Sequence, residues 1–177
     1  DVVGVENLDV GGALDIAGAR LAFLKENLAR LKLPADVVEA DALTWRPAQL
    51  ADGVLLDAPC SASGIVRRHP DIPWLRRPSD VAHLATLQAR LLRALWPLLE
   101  VGGRLLYVVC SLFPEEGPEQ IARFSAEHSE AREVPLPAGS PCVQLVPTPA
   151  VAPAWDGVRA LPTLHDGFFY ALLQKTR

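Results

Sequence analysis

The chain has 177 residues, half of them apolar, and a net charge of −4; this is enough for one domain with a sizeable core and excludes a disordered chain. No apolar run reaches the roughly eighteen residues of a membrane span, and "DVVGVENLDVGG" lacks the basic-then-apolar order of a signal peptide. Net negative charge argues against a general nucleic-acid binder. The cysteines, Cys60, Cys110 and Cys142, are too few and scattered for a disulfide framework or a metal site, so a cytoplasmic location and no metal are expected.

In chain order, "GALDI" predicts a short strand ending near Asp15. "AGARLAFLKENLARLKL" places Leu21, Leu24, Leu28 and Leu31 at helical spacing, and Pro34 closes that helix. "DVVEAD" and "GVLLDAP" predict two more strands, ending at Asp41 and Asp57. Ser79, preceded by Pro78, is the expected cap of a helix that carries Val81, Leu84, Leu87, Leu91, Leu92, Leu95, Leu98 and Leu99 on one broad face and stops at Gly102 and Gly103. "RLLYVVCS" predicts a fourth strand, and "PEEGPEQIARFSAEH" a helix with acidic residues in its first turn and Pro118 near its start. Residues 135 to 162 read as loop containing one strand, "CVQLV", and Phe168 to Leu173 as a final, antiparallel strand.

Strands alternating with helices, and apolar on both faces, predict an α/β fold with a mostly parallel sheet covered on both sides. Parallel strands point one way, so Asp15, Asp41, the Asp57 to Cys60 segment and Cys110 all reach the carboxyl edge, where open α/β sheets bind ligands. Taken singly, each has a plain structural explanation: an aspartate can cap a turn, and a buried cysteine is usually a small hydrophobe. Two thiols and three carboxylates at one edge point to chemistry. "RRHPDIPWLRR" gathers Arg67, Arg68, Arg76 and Arg77 directly after that motif. His69 and His83 read as surface residues, and Cys142 as inert.

"DAPCSASG", "RRHPDIPWLRR", "LLYVVCSLFPEEGPEQI" and "DGFFYALL", in that order, resemble the signature segments of the Nop/Sun RNA cytosine-5 methyltransferases, with the bacterial enzymes that act on small-subunit ribosomal RNA as the nearest branch. The resemblance implies a Rossmann-like fold, S-adenosylmethionine as cofactor and ribosomal RNA as partner. It implies that Cys110 is the nucleophile, that Cys60 assists product release, and that Asp57 contacts the target cytosine beside the cofactor. It further implies that Asp15 accepts hydrogen bonds from the cofactor ribose and that Asp41 lies beside the adenine. The four arginines would hold RNA phosphates.

Three departures from the family pattern stand out. Val109 and Ser63 replace residues that are commonly threonine, and threonine or glycine. More seriously, only "DVVGVENLDVGG" precedes "ALDI"; the first strand and the glycine-rich Cys-Ala-Ala-Pro-Gly-Gly-Lys loop that cradles the cofactor's methionine are not matched. Residues 1–177 are therefore expected to be a single, N-terminally truncated catalytic-type domain lacking its first strand. The vacancy invites another segment or a second copy of the chain, and an inactive RNA-binding or scaffold remnant is the alternative expectation.

Overall fold

The computed structural model describes residues 2–6, 11–135, 144–145 and 166–177. Its strands are β1 (Val2–Glu6), β2 (Gly11–Asp15), β3 (Ala35–Glu39), β4 (Ala51–Asp57), β5 (Leu99–Val109), β6 (Ala131–Val134), β7 (Gln144–Leu145) and β8 (Phe168–Lys175). Its α-helices are α1 (Gly18–Leu31), α2 (Ile72–Leu75), α3 (Pro78–Leu95) and α4 (Pro118–Glu127). All the strands join one sheet, in the order β3-β2-β1-β4-β5-β8-β6, with β7 also on β8. β2 pairs β3 in parallel and β4 pairs β5 in parallel. β1 is antiparallel to both β2 and β4, so β2, β3, β4 and β5 all run one way. β8 is antiparallel to β5, as its position in the sequence suggested.

The place anticipated for a missing strand is filled. β1 sits between β2 and β4 and pairs with both, but in the antiparallel sense. Backbone donors and acceptors in the middle of a sheet must find partners, and the Val-Val-Gly-Val run supplies them. A second copy is left no open strand edge at this position.

Helix ends follow local chemistry, with two corrections to the sequence expectation. α1 closes on Lys32 in the left-handed region (φ 56°), whose N–H and that of Leu33 bond back to Ala29 and Leu28. Ser79 does not cap α3. Pro78 takes the first helical position, where its missing N–H is harmless, and Asp80 Oδ2 accepts the Arg77 N–H at 2.9 Å. Nor do Gly102 and Gly103 stop that helix. It ends at Leu95, a 3-10 turn covers Trp96–Leu98, and both glycines lie inside β5. The breaker is Pro97, which removes a helical N–H. Pro118 opens α4, again at the first helical position.

α3 and α4 cover one face of the sheet. Leu92 and Leu95 of α3 pack with Leu56 of β4, Leu105 and Tyr107 of β5, Phe124 of α4, and Phe169 and Leu173 of β8. Burying side chains of this size stabilises by about 1.5–3 kcal/mol each. The opposite face is less protected than a doubly covered sheet requires. Among the described residues, Leu55 of central β4 remains 43% exposed, and Leu106, Tyr170 and Leu172 are half-buried. No helix among the described residues is long and apolar enough to cross a membrane.

Candidate active site

The carboxyl edge collects the predicted groups because β4 and β5 are adjacent. Asp57 pairs in register with Val108, and Ala58 N–H continues the ladder to Val108 O at 3.0 Å. Cys60 and Cys110 each leave the sheet at this edge, and their sulfurs stand 3.4 Å apart. Both are half-buried and unbonded to any other cysteine. The thiol–thiol hydrogen bond shapes both groups. It lowers the Cys110 pKa, and the same bond, followed by burial, pushes Cys60 up. Cys110 is therefore the more readily ionised of the two thiols, and the thiolate is the reactive form. Desolvation raises the Asp57 carboxyl above its ordinary range although the residue keeps an exposed surface. Tyr170 of β8 lies near enough that burial, then the charges of Asp57 and Cys110, raise its phenol.

Asp15 and Asp57 stand level across β1. Val3 faces Leu14 on one side and Leu56 on the other, so the next residue along each strand is an aspartate at the same height, about 10 Å from its counterpart. Asp15 and Asp41 line one cavity of about 210 Å³ whose walls include Leu14, Ile16, Ala42, Leu43, Leu87 and Leu91. Asp41 Oδ1 accepts the Leu43 N–H at 2.9 Å, which fixes the turn that forms part of the wall. Asp15 is engaged: both its oxygens take Arg20, each at 2.7 Å, and one also takes the Ala17 N–H. The Arg20 hydrogen bond is the main reason that its pKa lies below the usual range. The Arg20 side chain is half exposed, so it can swing away if a ligand competes.

The four arginines are divided by the fold. All are exposed, but Arg67 and Arg68 both reach the buried Asp166, at 3.0 and 2.6 Å. Arg76 Nε donates to Ser61 O at 3.1 Å. Arg77 stands at the α3 start. Between the two pairs, α2 presents Trp74 at 87% exposure, which is far out for the largest side chain. Beside it is a cavity of about 490 Å³ lined by Ile72, Pro73, Arg76, Arg77, Phe113 and Ser63, among others. His69 and His83 are exposed and take no part. Cys142 lies outside the described residues, as does most of the segment from 136 to 165.

Several site residues escaped the sequence reading. Gly64 N–H donates to Cys110 O at 3.0 Å, and Gly64 O accepts Gly167 N–H at 2.8 Å. A Cβ on Gly64 would come within 2.0 Å of Gly167 O. Both motif glycines are there because two backbones touch. Ala62 holds φ 61° in the loop after Cys60, a conformation that costs a non-glycine residue about 1–2 kcal/mol. Glu116 is fully buried and bonds Ser61 and Ser111, the residues after each cysteine. Sequence pattern placed it among acidic residues in a helix's first turn; it lies instead in a 3-10 turn and is fully buried. The signal that could have found it was the serine following each cysteine.

Four co-directional strands, an antiparallel strand beyond them and reactive groups at the carboxyl edge define a Rossmann-like methyltransferase fold. The profile of the family described as 16S rRNA methyltransferase RsmB/F matches residues 5–174, and the chain belongs to that family. It is 46% identical over 167 residues to ribosomal RNA small subunit methyltransferase B of Sodalis glossinidius, and 47% over 166 residues to its counterpart in Yersinia enterocolitica. Each match covers 92% of this chain and 36% of the relative, so the chain spans about a third of their length. The crystal structure of PH0851 superposes with a TM-score of 0.75 at 34% identity, over 93% of this chain and 36% of that one. NSun6 from Pyrococcus horikoshii shares the fold, with a TM-score of 0.69 at 24% identity over 94% of this chain and 41% of that one.

Proposed function

We propose that this chain is a catalytic domain that methylates carbon 5 of a cytosine in ribosomal RNA, in the cytoplasm, with S-adenosylmethionine as methyl donor. The observation that carries this is the pair of sulfurs 3.4 Å apart at the carboxyl edge, with Asp57 and Tyr170 beside them. Carbon 5 of cytosine is a poor nucleophile. Addition of the Cys110 thiolate to carbon 6 makes the ring an enamine, nucleophilic at carbon 5. Asp57, its pKa raised by desolvation, suits a group that hydrogen-bonds N3 and the exocyclic amine as the adduct forms. A base then removes the carbon 5 proton, and the electrons of that C–H bond expel the Cys110 thiolate. Cys60, whose sulfur is 3.4 Å from that of Cys110, is the residue we assign to assisting that release.

The cavity lined by Asp15 and Asp41 fits the nucleoside part of the cofactor: carboxylates for ribose hydroxyls at one end, apolar walls for a base. When bound, S-adenosylmethionine supplies an electrophilic methyl group. Asp15 must exchange its Arg20 partner for ribose hydroxyls, which the exposed arginine permits. On the RNA side, the target base must leave its stack to reach the thiols. Trp74 offers a stacking face for a neighbouring base, and Arg76 and Arg77 the charge for phosphates; Arg67 and Arg68 contribute their free edges.

A second reading has two observations in its favour. The Arg20 pair occupies both Asp15 oxygens, and β1 runs against its neighbours where a cofactor loop would follow a parallel strand. On that reading the domain binds RNA without the cofactor. Calorimetric titration of S-adenosylmethionine, followed by transfer of labelled methyl to a ribosomal RNA fragment, separates the two. Micromolar binding and label in 5-methylcytosine support the methyltransferase. RNA binding with no heat from the cofactor supports the scaffold and defeats the first proposal.

A further inference from the structure

Glu116 is 0% exposed and lies between the loop that holds Cys60 and the loop that holds Cys110. One carboxylate oxygen accepts Ser61 N–H at 2.9 Å and the Gln88 amide at 3.1 Å. The other accepts the hydroxyls of Ser61 and Ser111, at 2.6 and 2.5 Å. Each serine has a single hydroxyl proton, and both are thus committed to Glu116. Ser63 is then free to donate to the Ser111 oxygen at 3.2 Å, while it accepts Leu112 N–H at 2.9 Å. Each carboxylate oxygen of Glu116 thus meets two donors. Its own backbone is held from below, where the buried Tyr107 hydroxyl donates to Glu116 O at 2.7 Å.

We propose that Glu116 is a positioning residue for the thiol pair: by gripping the residue after each cysteine, its carboxylate fixes how far apart the two sulfurs stand. Its catalytic meaning rests on the methyltransferase proposal, but its geometric role does not. The charge works against thiolate formation, since it pushes both Cys60 and Cys110 upward. What the residue contributes is distance, not activation. A displacement of about 1 Å at such a centre is enough to lose about a hundredfold in rate.

The test uses dibromobimane, which fluoresces once it has bridged two neighbouring thiols, in a Cys142→Ser background. Single alkylation of Cys110 by iodoacetamide is the control. Glu116→Gln keeps an acceptor for Ser61 N–H and Gln88, and its hydroxyl neighbours can rotate. It should bridge within about threefold of the wild-type rate, and its alkylation profile should move to lower pH because a nearby negative charge is gone. Glu116→Ala, if its circular dichroism and cooperative melt are retained, should bridge at least about tenfold more slowly relative to single alkylation. A folded Glu116→Ala that bridges at the wild-type rate overturns the proposal. Should that variant fail to fold, Ser61→Ala with Ser111→Ala removes both hydroxyl donors and should still slow bridging about threefold or more; an unchanged rate again overturns it. A methylation assay is run in parallel. No methyl transfer by wild type, with bridging behaving as stated, removes the functional proposal and leaves the positioning role standing.

Discussion

Replacing Gly64 by alanine tests whether backbone contact between the first thiol loop and the start of β8 holds the site together. The new Cβ would lie 2.0 Å from Gly167 O and 2.6 Å from Gly167 C. A carbon and a carbonyl oxygen rest at roughly 3.3 Å, so one backbone must retreat by about 1.3 Å. That movement breaks the Gly167 N–H to Gly64 O bond and strains the Gly64 N–H to Cys110 O bond, now 2.8 and 3.0 Å. Two hydrogen bonds at about 1 kcal/mol each, plus about 1–3 kcal/mol of overpacking, give about 3–5 kcal/mol. Urea denaturation followed by tryptophan fluorescence reads this directly. With an m-value of about 2 kcal/mol/M, the midpoint should fall by about 1.5–2.5 M. A loss below about 1 kcal/mol would mean that the two segments are not in contact, and the account of how Cys110 is held would fail.

Cys60→Ala removes the hydrogen bond that lowers the Cys110 pKa, so the pH midpoint for Cys110 alkylation should rise and its rate at pH 7 fall; an unmoved midpoint refutes the thiol–thiol bond. With RNA and cofactor present, the same variant should accumulate a covalent RNA adduct that survives a denaturing gel, whereas Cys110→Ala should form none and transfer no methyl; normal turnover by Cys60→Ala would reverse the assigned roles. Lys32→Gly relieves a left-handed residue at the end of α1 and should stabilise by about 1 kcal/mol, visible as a higher urea midpoint. Trp74→Ala should weaken RNA binding by about 1–3 kcal/mol, about 5- to 150-fold, with no change in thermal stability because the ring is 87% exposed; unchanged affinity would place the RNA elsewhere.

Much of the fold was legible because periodicity and strand direction are local properties. The apolar runs at Leu14, Val54 to Leu56 and Leu105 to Val109 read as strands. Their common direction carries Asp15, Asp41, Asp57 and Cys110 to one edge. The sulfur pair followed from β4 lying next to β5. What failed to show were features decided by tertiary context. Val2–Glu6 carries a β-branched run, yet nothing local tells that it inserts antiparallel into the centre of the sheet. Gly102 and Gly103 read as a helix stop because the pattern of leucines continues past Pro97. Glu116 resembled any acidic residue near a helix start, since burial of a charge is invisible until its four donors are assembled around it. Arg67 and Arg68 looked free for RNA because their partner, Asp166, is about a hundred positions away in the chain.

The touch between Gly64 and Gly167 also sets an order of events during synthesis. Domains fold as their segments emerge, and contacts between distant segments wait for the later one. β4 and β5 can pair as soon as Val109 has left the ribosome, but the thiol loop is missing its brace until the Asp166-Gly167 corner arrives some 57 residues afterwards. A nascent chain halted in between would carry both sulfurs and lack the brace that holds their loop, so the paired geometry waits on the segment around Gly167.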